Sequence, residues 1–179
     1  MAESFDALHP WMRPREVEAD PAWQEAVACR DLARFKARES LRFLAWSDAG
    51  ALVASVALLD PDWRRRSFGL AYWVRTGAQR QGYGAEAVGA VARYAFGALR
   101  ARRVTVGHAA PNAASARLIA RLGFVEVSRM PLGSEMPGVA FVDGVGHAMT
   151  DAEALPPLDA RWGAAAASAT PPRRGSTPS

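Results

Sequence analysis

Residues 79–84, Gln-Arg-Gln-Gly-Tyr-Gly, place Gly82 and Gly84 where a polar run gives way to a long stretch of helical apolar spacing. Glycine lets main chain approach a ligand closely, and N–H groups that open a helix sit at the positive end of its dipole. Together these features make a cradle for phosphate, with a plain tight turn as the competing reading. Two familiar phosphate loops do not fit. Gly84 is followed by Ala85 and Glu86, without the Lys and hydroxyl residue of a P-loop. A dinucleotide fingerprint would want glycine at position 87, where Ala87 stands. The next strand then ends at His108 with no acidic residue to hold a ribose.

Other reactive side chains are sparse. Asn112 and Ser115 open a second amphipathic stretch, where Asn112 suits a helix N-cap, a ligand contact or both, and Ser115 reads first as a plain solvated helix serine. Asp60 and Asp62 flank Pro61, and turn chemistry is their simplest reading. His9, His108 and His147 are dispersed and Cys29 is the single cysteine, so no metal site is expected. His108, at a strand end near the glycine loop, reads as a hydrogen-bonded structural histidine.

The elements that must position these residues follow from periodicity. Asp20 and Pro21 start a helix over 21–40, with Trp23, Val27, Leu32 and Phe35 at near-helical spacing. Apolar runs at 41–46 and 51–59 surround a glycine-bearing turn and predict a hairpin, broken at Pro61-Asp62. A third strand spans 68–74, followed by a helix over 85–99 with Val88, Val91, Ala92, Ala95 and Leu99 along one side. A strand at 103–108 and a helix over 112–122 carrying Ala114, Leu118, Ile119 and Leu122 come next. Gly123 is a suitable left-handed cap before a strand at 124–128. A last hairpin is expected from 140–142 and 146–150 around Asp143-Gly144. The order predicts an α+β fold, a mixed sheet with helices on its faces. Residues 1–154 form the expected domain, and the Ala/Pro/Ser-rich residues 155–179 read as a disordered tail.

The run Tyr72-Trp73-Val74, then Gln79-x-x-Gly82-x-Gly84-x-Glu86-Ala87, resembles the acyl-CoA loop of the GNAT acetyltransferases. The second block, Pro111-Asn112-x-x-Ser115-x-Arg117-Leu118-x-x-x-Leu122-Gly123-Phe124, resembles the branch that holds the ribosomal-protein alanine/serine N-terminal acetyltransferases. His9-Pro10-Trp11-Met12 is similar to a short element of the same branch, so the likeness spans about 5–150. It implies a GNAT-like fold with acetyl-CoA as co-substrate, no metal, and direct transfer of acetyl to a primary amine, foremost a protein N-terminus. A small-molecule amine acceptor and a non-catalytic acyl-CoA-binding module are the alternatives. By the same resemblance, main-chain N–H groups of Gln79, Arg80, Gln81, Gly82, Tyr83, Gly84 and Ala85 would bind the pyrophosphate. Tyr72, Trp73 and Val74 would pair with the pantetheine arm, with the Val74 N–H on the thioester carbonyl. Asn112 would contact pantetheine, Ser115 would act as general acid, and Trp11 and Trp46 would line the acceptor groove. Where this branch carries a glutamate before the Tyr-Trp pair, Gly69 stands, leaving water, Asp60 or Asp62 to take the proton. The family's usual opening strand does not precede residue 1, so the strand at 41–46 should present a free edge. A mis-assigned start or a lost edge strand would each account for that.

Composition agrees with a globular protein. The chain has 179 residues, half of them hydrophobic, and a net charge of +4. No signal-peptide or membrane-spanning pattern is present, and a cytoplasmic monomer or homodimer is expected. Lys36 is the only lysine; the remaining bases are arginines without interleaved aromatic residues, which disfavours nucleic acid as a partner.

Overall fold

The computed structural model describes residues 4–11, 20–136, 138 and 140–158. Met12, the end of the Pro-Trp-Met element, and 159–179 of the expected tail lie outside them.

The chain runs α1 (Phe5–Leu8), α2 (Pro21–Ala37), β1 (Leu41–Trp46), β2 (Leu52–Asp62), β3 (Ser67–Val74), a 3-10 turn (Thr76–Ala78), α3 (Tyr83–Gly97), β4 (Arg103–Ala109), α4 (Ala113–Arg121), β5 (Val125–Met136) and β6 (Ala140–Met149). All six strands form one mixed sheet in the order β1-β2-β3-β4-β6-β5, with β3 and β4 its parallel pair. The α3 crossover between them is what a parallel neighbour requires. As expected, β1 stands at an edge.

Local signals act where the sequence places them. Asp20 accepts from the Ala22 N–H at 3.0 Å, and Pro21 occupies the first turn of α2. The inner stripe of α2 is Trp23, Val27, Asp31 and Phe35; Leu32 is 56% exposed. Asp31 sits on that stripe because it pairs with Arg42 of β1 at 2.8 Å. Helix α3 buries Val88, Val91, Ala92 and Ala95 against Val56, Phe68, Leu70, Val104 and Val106 of the sheet. Ile119 of α4 and Leu122, its C-cap, join the same core. Both helices therefore cover one face. Gly123 has φ +86, the left-handed conformation expected after α4.

Three expectations need correction. Pro61 does not end β2, which continues to Asp62 through a bulge at which Asp60 takes φ +45. The strand expected at 124–128 runs on to Met136. No turn forms at Asp143-Gly144, since β6 is continuous and pairs with β4 on one side and β5 on the other. Gly144 and Gly146 serve close approach instead. A Cβ at 144 would lie 3.2 Å from the Gly133 carbonyl carbon, and one at 146 would collide with Ser128 Oγ. Packing also continues past the expected boundary at 154. Leu155 is 6% exposed within the core, and Arg93 donates to the carbonyls of Leu155 and Pro156.

Candidate active site

The parallel pairing of β3 with β4 covers Ser67–Leu70 against Arg103–Val106 and stops there. Beyond it the strands part. The rest of β3 still pairs with β2, and the rest of β4 with β6, so a gap opens inside the sheet. The Arg75 N–H donates to Val53 O of β2 at 2.9 Å. Alternation along an antiparallel strand then turns the main-chain groups of Tyr72 and Val74 away from β2, into the gap. These groups form a strand edge inside the molecule with no strand paired to it, the Val74 carbonyl accepting only from the Gln79 side chain.

The gap widens into a cleft of about 760 Å³ whose lining includes Tyr72, Trp73, Val74, Gln79, Arg80, Gly82, Gly84, Ala85, Asn112 and Ser115. Residues 43 positions apart meet there, as the phenol of Tyr72 lies 2.7 Å from Ser115 Oγ. Burial pushes the Tyr72 pKa up, and the Ser115 hydrogen bond offsets part of that rise. Asn112 caps α4, its Oδ1 accepting from the Ser115 N–H at 3.0 Å. The cap and the cleft position coexist in one residue.

At the loop, Gly82 takes φ +94 and is the N-cap of α3, with no side chain capping the helix. Among the described residues no acceptor takes the N–H groups of Arg80, Gln81, Gly82, Tyr83 or Gly84. The cradle is narrower than expected at both ends, because Gln79 N–H bonds Thr76 O at 3.2 Å and Ala85 N–H bonds Gly82 O at 2.9 Å. The side chains of Gln79 and Gln81 turn to main-chain carbonyls, of Val74 at 3.4 Å and Gly77 at 2.8 Å. Gly84 has a different task from Gly82. A Cβ there would stand 2.9 Å from Leu118 Cδ1 and 3.0 Å from Val74 Cγ2, so its bareness seats α3 against β3 and α4.

The two tryptophans expected at an acceptor groove separate. Trp11, 39% exposed, lines the cleft with Ala7 and Leu8 of α1. Trp46 does not; it closes the edge strand β1 and is 60% exposed. On the opposite face of the sheet, Gly69, Thr105, Gly107 and Gly146 floor a smaller hollow of about 380 Å³ with Asp60 at its wall. Asp62 is spent on Arg65, whose backbone N–H and guanidinium hold its carboxyl below the usual range. Sequence reasoning missed the Tyr72–Ser115 contact and the arginines of the cleft wall, Arg117 and Arg121. The hydrogen bond expected of His108 is present, its Nδ1 lying 2.8 Å from the Ala109 carbonyl oxygen, while its ring Nε2 is buried and makes no hydrogen bond. No group of residues that could hold a metal ion exists among the described residues, and none of their helices is long and apolar enough to cross a membrane.

Known proteins share this architecture. A Mycobacterium smegmatis RimJ in complex with CoA-disulfide matches with a TM-score of 0.76 at 22% identity, over 84% of this chain and 73% of that one. A ribosomal-protein-S5-alanine acetyltransferase from Vibrio fischeri matches at 0.78 and 18%, over 87% and 86%. A spermidine N-acetyltransferase SpeG mutant from Vibrio cholerae matches at 0.66 and 17%, over 73% and 77%. No curated protein sequence matches. The family model for the acetyltransferase (GNAT) domain matches residues 2–125. An uncapped helix start beside an interrupted parallel strand pair, together with that match, makes this chain a member of the GNAT acetyltransferases, an N-acetyltransferase with acetyl-CoA as its acyl donor.

Proposed function

We propose that the protein acetylates the N-terminal amine of a polypeptide by direct transfer from acetyl-CoA. The observation that carries this reading is the make-up of the cleft wall. Its charged residues are Arg80, Arg117 and Arg121, and no Asp or Glu lines it among the described residues. A polyamine carries several positive charges and needs carboxylates to meet them, whereas a peptide N-terminus brings one charge and a neutral chain behind it. The Vibrio fischeri neighbour, named for a ribosomal-protein alanine, supports the same acceptor class.

In this reading the open amides from Arg80 to Gly84 hold the pyrophosphate, and the free edge of β3 at Tyr72 and Val74 takes the pantetheine as an added strand, while the main chain of Trp73 stays turned to Ser55 of β2. The Val74 N–H polarises the thioester carbonyl as a preformed donor for the developing oxyanion. Ser115, bonded to Tyr72, supplies a proton to the departing thiolate. Asn112 positions Ser115 and borders the pantetheine.

Thermal melting with acetyl-CoA tests binding. Ligand at a hundred times its Kd adds about 2.7 kcal/mol, which raises Tm by roughly 5–10 °C for a chain of this length. Thiol release with peptides beginning with Ala or Ser, and with spermidine, then tests the acceptor. Faster turnover of spermidine than of every peptide would overturn the acceptor class. Binding without turnover of any amine would make the chain a non-catalytic acyl-CoA module.

A further inference from the structure

Glycine inside a strand weakens it, and it is kept where another backbone or a ligand comes close. Two strand glycines of this sheet have no crowding neighbour to account for them. Gly69 pairs with Leu59 of β2 and with Thr105 of β4, so it lies within the sheet. A Cβ built on it would stand 3.4 Å from the Leu59 carbonyl oxygen, an ordinary contact. Gly107 pairs with Gly146 of β6, and a Cβ there would meet only the Val145 carbonyl oxygen, at 3.6 Å. Neither residue is in the left-handed conformation. Gly146 beside them is different, because Ser128 Oγ occupies the place its side chain would take. The fold itself asks for no glycine at 69 or 107.

Both glycines floor the hollow on the face opposite α3 and α4, with Thr105 between them. Leu70, Val104 and Val106 fill the core on the helix side, so alternation turns positions 69, 105 and 107 the other way. Gly69 is half-buried and Gly107 is exposed, which leaves the floor accessible. Leu59 of β2 stands on one side of the hollow and Ser128 of β5 on the other. At one end the hollow meets the cofactor cleft, since Leu70, Val106 and Gly107 line both. That junction is where the pairing of β3 with β4 stops. Arg103 lies four residues back along β4, about 13 Å away at a rise of about 3.3 Å per residue. An extended segment of about four residues spans that distance.

We propose that this hollow is the subsite for the polypeptide chain behind the acceptor's terminal amine. The chain lies over Gly69, Thr105 and Gly107, and its first residue passes the end of the seam to reach the acetyl group. The inference rests on the acetyl-transfer reading above and deepens it, because donor and acceptor then enter from opposite faces of the sheet. Bare glycines let a second main chain settle against the strands where side chains would hold it off. A glutamate at 69, where the resemblance places one, would stand in the middle of this floor. The charged residues of the hollow are Asp60 and Arg103, one of each sign. Their charges cancel, which suits a neutral peptide chain and offers a polyamine no surplus of negative charge.

The test compares the parent with Gly69→Val, a position outside the cofactor cleft, using acetyl-CoA and acceptors from alanine amide to a hexapeptide beginning with Ala. In the parent, kcat/KM should rise on the order of tenfold between the dipeptide and the pentapeptide and then level off. In Gly69→Val the rise should vanish through KM, while calorimetric affinity for acetyl-CoA stays within about threefold of the parent. Gly69→Ala, whose Cβ has room, should give a smaller loss of the same kind and guards against a valine that disturbs the sheet. A parent indifferent to peptide length, or a rise that survives in both variants, would overturn the proposal. Amide NMR of the CoA-loaded parent titrated with the hexapeptide gives a readout without turnover. Shifts at Gly69 and Thr105 are expected, and shifts confined to the cleft face around Trp11 and Arg121 would end the proposal even if every peptide were acetylated. Should the parent acetylate nothing while Gly69 and Thr105 shift, the acetyl-transfer reading fails and the subsite stands.

Discussion

Tyr72 and Ser115 share one hydrogen bond, and its chemistry is that of a pair. A phenol whose pKa is raised by burial keeps its proton at neutral pH, so the two hydroxyls form a short chain ending at whichever atom needs a proton. Tyr72→Phe and Ser115→Ala should each lower kcat on the order of 100-fold, and the double variant should be little worse than either single one, because groups acting as a unit are not additive. Each single change should cost about 1 kcal/mol of stability. Full kcat in either variant would exclude a role in proton delivery. At this scale the sequence was partly readable. Asn112 could be read as an N-cap because capping depends on residue type and position alone. The Tyr72–Ser115 contact could not, since it exists only once a parallel crossover brings β3 beside α4. The unequal nitrogens of His108 were hidden for a similar reason: which ring nitrogen is satisfied depends on where the Ala109 carbonyl points.

Among the elements, α3 does the positioning, and its first turn is held from two sides. Gly84→Ala would press a methyl group against Leu118 and Val74, atoms of α4 and β3 that are themselves packed. A destabilisation of about 1–3 kcal/mol is expected from such overpacking, accompanied by weaker acetyl-CoA binding as the helix start shifts. Urea denaturation and calorimetry measure the two effects. Unchanged stability would mean that the α3–α4 contact yields at no cost. The helices and inner strands could be read from periodicity because each buries one face, as the stripe Val88, Val91, Ala92 and Ala95 does. Strand β5 defeated the same reasoning. Nearly all of its residues are exposed, so its length is set by pairing with β6 and leaves little apolar alternation to find. Asp143-Gly144 has the composition of a turn, yet its glycine answers to the close approach of Gly133.

For the molecule as a whole, the interior histidine makes stability depend on acidity. His147 has a pKa lowered from 6.5, so the folded state prefers its neutral form and the unfolded state binds more protons below that value. Its contribution is complete above pH 6.5 and declines as the pH falls from there toward the folded-state value. Asp62, lowered from 3.8 and partly exposed, acts in the same sense further down. Its stabilising interaction is present above 3.8 and is lost as the carboxyl protonates. Urea midpoints should therefore be level between pH 8 and 7 and fall toward pH 5, with a shallower fall in His147→Gln. An equal fall in the two proteins would remove His147 as the cause.

The parted strands also have a mechanical meaning. Four residue pairs, Ser67–Leu70 with Arg103–Val106, are the main-chain seam that joins β1-β2-β3 to β4-β6-β5. Each half is a plate of three strands, and the seam is a short spine between them. A pantetheine laid along the free edge of β3 would act as a splint across the break, so that the loaded enzyme is stiffer than the empty one along this line. Filling and emptying the site would thus be felt at the far ends of both plates, without any hinge loop having to move.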